Sequence, residues 1–98
     1  MINRIVRMSF QQNKVEEFLE VFNESKIFIA SSKGCNELKL LRDVNQQNVF
    51  FTYSVWDNEE DLNAYRHSDL FDITWSKTKI LFNDKPQAWS TIIFDSVK

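Results

Sequence analysis

Apolar and polar positions along the chain change period several times, and each change marks a new element. Residues 2–10 alternate between apolar and polar, as in a half-buried strand. A helical period follows from about Gln12 or Asn13 to Ser31, with glutamates largely opposite the apolar stripe. Gly34, the only glycine in the chain, is placed to end that helix in a left-handed conformation. The apolar stripe consists of Val15, Phe18, Leu19, Phe22 and Ile29.

The central strand is predicted at Phe50–Trp56, an apolar and aromatic run without glycine or proline. Asn36–Val44 forms a second strand, and four polar residues, Asn45–Asn48, join the two as a hairpin, so we expect antiparallel neighbours. Exposing either face of the central strand to water would be unfavourable, because both carry large apolar side chains, so we expect both faces to be covered. One face carries Phe51, Tyr53 and Val55, and the other carries Phe50, Thr52, Ser54 and Trp56.

Two further helices and a last strand are predicted in the rest of the chain. Asp57 or Asn58 caps the first helix, whose first turn is acidic. The second helix begins at Ser68-Asp69, and Ala88–Phe94 follows it as a strand with apolar residues on both faces. The apolar stripe of the second helix consists of Phe71, Trp75, Thr78 and Phe82.

This order of elements predicts a ferredoxin-like α+β fold, a four-stranded antiparallel sheet with helices on one face. A length of 98 residues suits one domain, so we expect residues 1–98 to form a single unit. The helices cover one face of the sheet, yet the central and last strands are apolar on both faces. We therefore expect a second copy to cover the other face, which gives a homodimer through the sheet.

Composition and charge limit the classes of partner that the protein is expected to bind. A net charge of -2 provides no cationic field for phosphate groups, so nucleic acid is not expected as a partner. Cys35 is the only cysteine, and no apolar run has membrane length, so we expect no internal disulfide, no membrane contact and a cytoplasmic location. Aromatic residues make up 14% of the chain, which suggests a subunit interface or a pocket for a flat ligand.

The order of elements, together with the spacing Trp56-x8-Tyr65-x5-Phe71, resembles the antibiotic biosynthesis monooxygenase family. The likeness covers nearly the whole chain and implies a dimeric α+β barrel. Members of the family include cofactor-independent quinol oxygenases and heme-degrading enzymes. Trp75 stands where the heme-degrading branch has its axial histidine, and Val6 stands near its expected asparagine. Since indole cannot ligate iron in this way, heme degradation is disfavoured. The sequence also has no CxxC pair and no HxxxH, so we expect neither a cofactor nor a metal.

The resemblance implies a cofactor-independent monooxygenase acting on a small aromatic or quinol-like compound between the sheet and the helices. Tyr65, in the place where the family often has a histidine, is one catalytic candidate, although with a usual pKa of about 10 it is a weak base. His67, the only histidine, is the other, because its usual pKa of about 6.5 suits proton transfer near neutrality. The predicted substrate-binding residues are Ser54, Trp56, Phe71 and Trp75.

Each of these assignments has a simpler alternative. Tyr65 could be a pocket-wall tyrosine with a structural hydrogen bond, and His67 could be an exposed capping residue between two helices. Arg4 and Arg7 could bind a substrate anion, but they lie on opposite faces of their strand, so at most one can reach a pocket. Cys35 could be a reactive thiol, but no base or helix start is placed to lower its pKa, so a buried small side chain is the simpler interpretation. The alternative function is a non-catalytic ligand-binding or structural dimer of the same fold.

Overall fold

Four strands and three helices account for most of the chain in the computed structural model, which describes residues 1–98. The strands are β1 (Ile2–Ser9), β2 (Cys35–Arg42), β3 (Val49–Trp56) and β4 (Gln87–Thr91). The helices are α1 (Val15–Ala30), which follows a 3-10 turn at Gln12–Lys14, α2 (Glu59–Arg66) and α3 (Asp69–Lys79). The strands form one antiparallel sheet in the order β2-β3-β1-β4, which confirms the predicted ferredoxin-like α+β fold. No helix combines the length and apolarity needed to cross a membrane.

The register of the sheet decides which side chains face the helices. Arg4 of β1 lies opposite Ser54 of β3 and Ser90 of β4, so these three side chains share one face. Ile5, the next residue of β1, lies opposite Tyr53 and Trp89 on the other face. All three helices pack on the face that carries Ser54. The sequence left open whether Ser54 or Tyr53 points to the helices, and the register assigns that position to Ser54.

The hydrophobic core lies between α1, α3 and the helix-facing side of β1 and β3. Its buried members are Met8, Phe10, Val15, Phe18, Phe50 and Leu81. Phe10 is fully buried and stacks on Phe18, with ring centroids 4.1 Å apart. Arg42 covers one edge of this core, because its guanidinium carbon lies 4.9 Å from the centre of the Phe50 ring.

Three predicted boundaries needed correction. The structure ends α3 at Lys79, so Phe82 lies beyond the helix and forms an isolated antiparallel bridge with Phe10 instead. The last strand ends at Thr91 rather than Phe94, because Thr91 pairs with Asn3 and little of β1 remains to pair with later residues. β2 runs from Cys35 to Arg42 rather than from 36 to 44 and contains an irregularity between Cys35 and Glu37.

The helix ends follow the predicted local chemistry. The Asn58 side chain accepts a hydrogen bond from the backbone N–H of Asp61 at 2.8 Å and so caps α2. Ser68 caps α3 by accepting from the N–H of Phe71 at 3.1 Å. Gly34 has a φ of 83° after α1, a conformation that is open to glycine at little cost. These caps place α2 and α3 across one end of the sheet.

Candidate functional site

A cavity of about 380 Å³ lies between the sheet and the helices. Side chains from all four strands and all three helices line it, and most of them are apolar. A volume in this range is typical of sites for small organic ligands. The cavity brings together five of the side chains singled out from the sequence, namely Ser54, Trp56, Tyr65, Phe71 and Trp75.

Four aromatic rings form a continuous wall of this cavity. Tyr65 stacks on Trp56 with ring centroids 5.1 Å apart and meets Phe71 edge-on at 5.4 Å. Phe71 in turn stacks on Trp75 at 5.8 Å with an interplanar angle of 11°. Residues 71 and 75 are one turn apart on α3, and α2 carries Tyr65 above the end of β3. The helix pair therefore presents flat, rigid surfaces to the cavity.

Tyr65 is suited to donate a hydrogen bond into this cavity. Its hydroxyl makes no hydrogen bond within the chain, although the residue lines the cavity. Burial, and to a smaller extent the nearby Cys35 thiol, raises the pKa of Tyr65 to about 12. The phenol is consequently protonated near neutral pH. It can donate to a ligand oxygen there, but it cannot act as a base.

Ser54 supplies a second hydroxyl on the floor of the cavity. The indole N–H of Trp56 donates to Ser54 Oγ at 2.9 Å, and both residues are buried. That bond uses Ser54 as an acceptor and holds the hydroxyl in place. Its own O–H has no acceptor within the chain, so it too is available to a ligand.

Arg4 and Arg66 form a cationic end of the cavity. Arg4 rises from β1, and its Nη1 donates to Ser90 Oγ at 3.0 Å, while Arg66 directly follows Tyr65 in the last turn of α2. Burial and then the charge of Arg66 lower the pKa of Arg4. Arg7 lies on the opposite face, so the register selects Arg4 from the two arginines considered. The sequence analysis missed Arg66, because a basic residue at the end of a helix has an ordinary explanation in the helix dipole.

Two other candidates lie outside the cavity lining. His67 is exposed at the end of α2, and its Nδ1 is 2.7 Å from the carbonyl oxygen of Asn63. The structure does not bring it to the five residues above. Cys35 is half-buried, and burial raises the pKa of its thiol, whose sulfur lies 3.7 Å from the carbonyl oxygen of Glu37. Its thiol is therefore protonated and a poor nucleophile near neutral pH.

The sheet and the helices define a ferredoxin-like α+β protein with a cavity between them that is lined mostly by apolar and aromatic side chains. The family model described as antibiotic biosynthesis monooxygenase matches residues 1–73. The chain belongs to this family. The match includes β1 to β3, α2 and the start of α3, and with them Ser54, Trp56, Tyr65 and Phe71.

Solved structures with the same fold share little sequence with the chain. SnoaB, a cofactor-independent oxygenase from Streptomyces nogalater, is 17% identical over 98% of this chain and 95% of its own, with a TM-score of 0.86. A conserved protein from Methanosarcina mazei is 14% identical over 92% and 89%, with a TM-score of 0.88. A structure described as an antibiotic biosynthesis monooxygenase is 13% identical over the full length of both chains, with a TM-score of 0.88. A search of curated proteins gave no match.

Proposed function

We propose that the protein is a cofactor-independent monooxygenase that oxidises a small aromatic or quinol-like compound in the cavity. The observation that carries this proposal is the pair of free hydroxyls, on Tyr65 and Ser54, in a cavity whose remaining lining is mostly aromatic and apolar, with the two arginines at one end. Such a site can hold an electron-rich ring away from water and orient its oxygen atoms. Membership of a family described as monooxygenases supports the same reaction class.

The proposed reaction converts a phenol-type ring to a quinone. One oxygen atom of dioxygen enters the ring as a carbonyl oxygen, and the other leaves as water together with two hydrogens of the substrate. The substrate supplies all four electrons, so no external reductant is needed. In this scheme Tyr65 and Ser54 orient the substrate oxygen and Phe71 and Trp75 hold the ring plane, while the fully buried Trp56 supports Tyr65 from behind.

Oxygen uptake tests the proposal directly. The purified protein is incubated at neutral pH with a panel of hydroquinones, naphthols and anthrones, and dioxygen consumption and quinone absorbance are recorded together. We expect at least one compound to be consumed well above its autoxidation rate, with one quinone formed for each dioxygen. Heat-unfolded protein at the same concentration is the control. Uptake no faster than in that control for every compound would overturn the oxygenase proposal.

A specific observation favours a second candidate, a ligand-binding protein without turnover. The titratable side chains that line the cavity are Arg4, Tyr65 and Arg66. Arginine stays protonated in proteins, and Tyr65 has a raised pKa of about 12, so none of them takes a proton from a substrate near neutral pH. Stoichiometric binding of a quinol with no oxygen uptake would support this second function.

We also propose that the protein forms a homodimer through the uncovered face of the sheet. No element of the chain covers that face, and its side chains Leu41 and Trp89 are 47% and 44% exposed. Four apolar side chains beyond β4 are still more exposed, and a monomer rarely presents so many together. They are Ile92, Ile93, Phe94 and Val97.

Light scattering measures the assembly without any ligand. At tens of micromolar protein we expect a mass twice the chain mass of 11.7 kDa. Trp89→Glu places a charge within the proposed interface, on the edge strand β4, and should shift the mass towards one chain, because an uncompensated buried charge is costly. Glu17, on the exposed surface of α1, offers a control as Glu17→Gln, which should leave the dimer intact. A wild-type mass of a single chain would contradict the dimer.

A further inference from the structure

The cavity has one charged end. Arg4 lies on the sheet side of the cavity, directly opposite Ser54 of the neighbouring strand. Arg66 lies on the helix side, next to Tyr65 at the end of α2. The two guanidinium groups are close enough that the charge of Arg66 contributes to the lowered pKa of Arg4. Two like charges that face one cavity repel each other, so this arrangement costs free energy when the cavity contains no anion.

Neither arginine has a carboxylate partner. The two ion pairs of the chain, Lys14 with Glu17 and Lys39 with Glu37, lie elsewhere, and no acidic side chain comes within 4.0 Å of Arg4 or Arg66. The cavity lining itself contains no aspartate or glutamate. Arg4 is half-buried, Arg66 is exposed, and neither has a carboxylate to neutralise it, so the pair can bind an anionic group that enters the cavity.

Arg4 makes one side-chain hydrogen bond within the chain, at a solvent-exposed position. Its Nη1 donates to the Ser90 hydroxyl at 3.0 Å, which uses one of the five N–H donors of the guanidinium. The remaining donors stay available. A planar guanidinium suits a carboxylate, because two parallel N–H groups can bind its two oxygens.

The helix dipole and nearby acidic residues do not fully explain why Arg4 and Arg66 line the cavity. A base in the last turn of α2 is favourable to the helix dipole, but that effect does not require Arg66 to line a cavity. Arg7, on the uncovered face, has an acid nearby. The pKa of Asp43 is lowered by hydrogen bonds from the backbone of Asn45 and Gln46 and, to a smaller extent, by the charge of Arg7. Arg4 and Arg66 have no such partner.

The rest of the cavity suits a flat apolar body. Val6 of β1, two residues after Arg4, pairs with Thr52 of β3 and Ala88 of β4 on the sheet side of the cavity. Phe22 and Trp75 line the opposite side. A ligand with its aromatic rings on Val6 and a charged group at Arg4 would satisfy both ends of the cavity.

We propose that the cavity selects an aromatic compound that carries an anionic group, an aromatic carboxylate in the simplest case, and that Arg4 and Arg66 bind this group. This inference deepens the proposed function and rests on it, because it specifies the ligand class of the same site. The hydroxyls of Tyr65 and Ser54 then contact an oxygen on the ring.

The test compares 6-hydroxy-2-naphthoate with its methyl ester, which has the same rings and hydroxyl but no charge. Affinities are measured at neutral pH by titration calorimetry. We expect wild-type protein to bind the acid at least about tenfold more tightly than the ester, since hydrogen bonds between two charged groups are stronger than those to a neutral acceptor. Arg4→Gln and Arg66→Gln should each weaken binding of the acid about tenfold and leave that of the ester unchanged.

Arg7→Gln, the same change on the opposite face of β1, is the matched control and should change neither affinity. Thermal unfolding of each variant establishes that it is folded before its affinities are compared. Equal wild-type affinities for acid and ester, no binding of either compound, or an equal loss of both in the folded Arg4 variant would each overturn the inference.

The result is independent of turnover, because binding is measured without oxygen uptake. Preferred binding of the acid together with no uptake from any quinol would support the anion site and reject the oxygenase. Uptake from neutral quinols, with no preference for the acid, would support the oxygenase and reject the anion site.

Discussion

Phe10→Ala is expected to lower the free energy of unfolding by about 3–5 kcal/mol, the usual cost of removing a buried phenylalanine ring. Phe10 is 0% exposed, and its ring lies 4.1 Å from that of Phe18, 5.3 Å from Phe82 and 6.0 Å from Phe50. These neighbours come from a helix, a bridge segment and a strand, so they cannot close around the void without moving the backbone. Most of the void left by the Phe10 ring should therefore remain open, and the variant should show the full loss of stability.

Phe28 provides the matched control for this substitution. It is 64% exposed on α1, so Phe28→Ala should change the free energy of unfolding by less than about 0.5 kcal/mol. Both values come from urea unfolding followed by tryptophan fluorescence, with the slope against denaturant checked for two-state behaviour. Similar losses for the two variants would contradict the position of the core.

The sequence predicted the inward position of Phe10 correctly but not all of its contacts. Alternation along residues 2–10 places Phe10 with Met8 and Val6, and the structure has these residues on the helix-facing side. Phe82 was predicted to lie on the helix, and its contact with Phe10 was not predicted. A helical stripe through Phe71, Trp75 and Thr78 extends naturally to Phe82, although the helix itself stops at Lys79. Spacing alone does not show where a bridge to a distant strand replaces the helix.

The faces of β3 could not be assigned from the sequence, for a physical reason. Both sets of alternating residues are largely apolar, so hydrophobicity does not distinguish the face that carries Ser54 from the one that carries Tyr53. Only pairing with β1 and the position of the helices decides it. The same register places Arg4 and Arg7 on opposite faces of the sheet.

Some residues of the candidate site could be predicted from the sequence and others could not. Trp56, Tyr65 and Phe71 were found through the family spacing and Trp75 through the apolar stripe of its helix, and all four lie together in the cavity. Arg66 was missed because its role depends on a three-dimensional approach to Arg4, which no local pattern encodes. His67 was a candidate by its chemistry alone, and the end of α2 places it outside the cavity lining.

The arginine end of the cavity bears on how a site without a base could start an oxidation. An opposite charge within about 4–6 Å favours the ionised form of a phenol. If a neutral quinol, which has no carboxylate to occupy the arginines, binds with its ring hydroxyl near Arg4 and Arg66, that hydroxyl loses its proton more readily than in solution. The anion is the form of the ring that reacts with dioxygen, so the cations can partly replace a base.

Tyr65→Phe is expected to protect the protein against alkaline unfolding. The pKa of Tyr65 is raised from 10.0 to about 12 in the folded protein. Between these values the unfolded chain releases the phenolic proton while the folded chain retains it, so stability falls as pH rises. Each pH unit of that interval costs about 1.4 kcal/mol, which gives a loss of about 2 kcal/mol near pH 11.5. The variant has no phenol to ionise and should lack this loss.

At neutral pH the two proteins should differ little, because the Tyr65 hydroxyl has no hydrogen-bond partner within the chain and its ring contacts with Trp56 and Phe71 remain. Urea unfolding from about pH 8 to pH 11.5 measures the difference between them, in which the titration of other groups cancels. Tyr53→Phe, on the uncovered face, is the matched control and should keep the alkaline loss of the wild type. Parallel pH profiles for wild type and Tyr65→Phe would show that Tyr65 is not a buried, neutral donor, because a solvated phenol would ionise equally in both states.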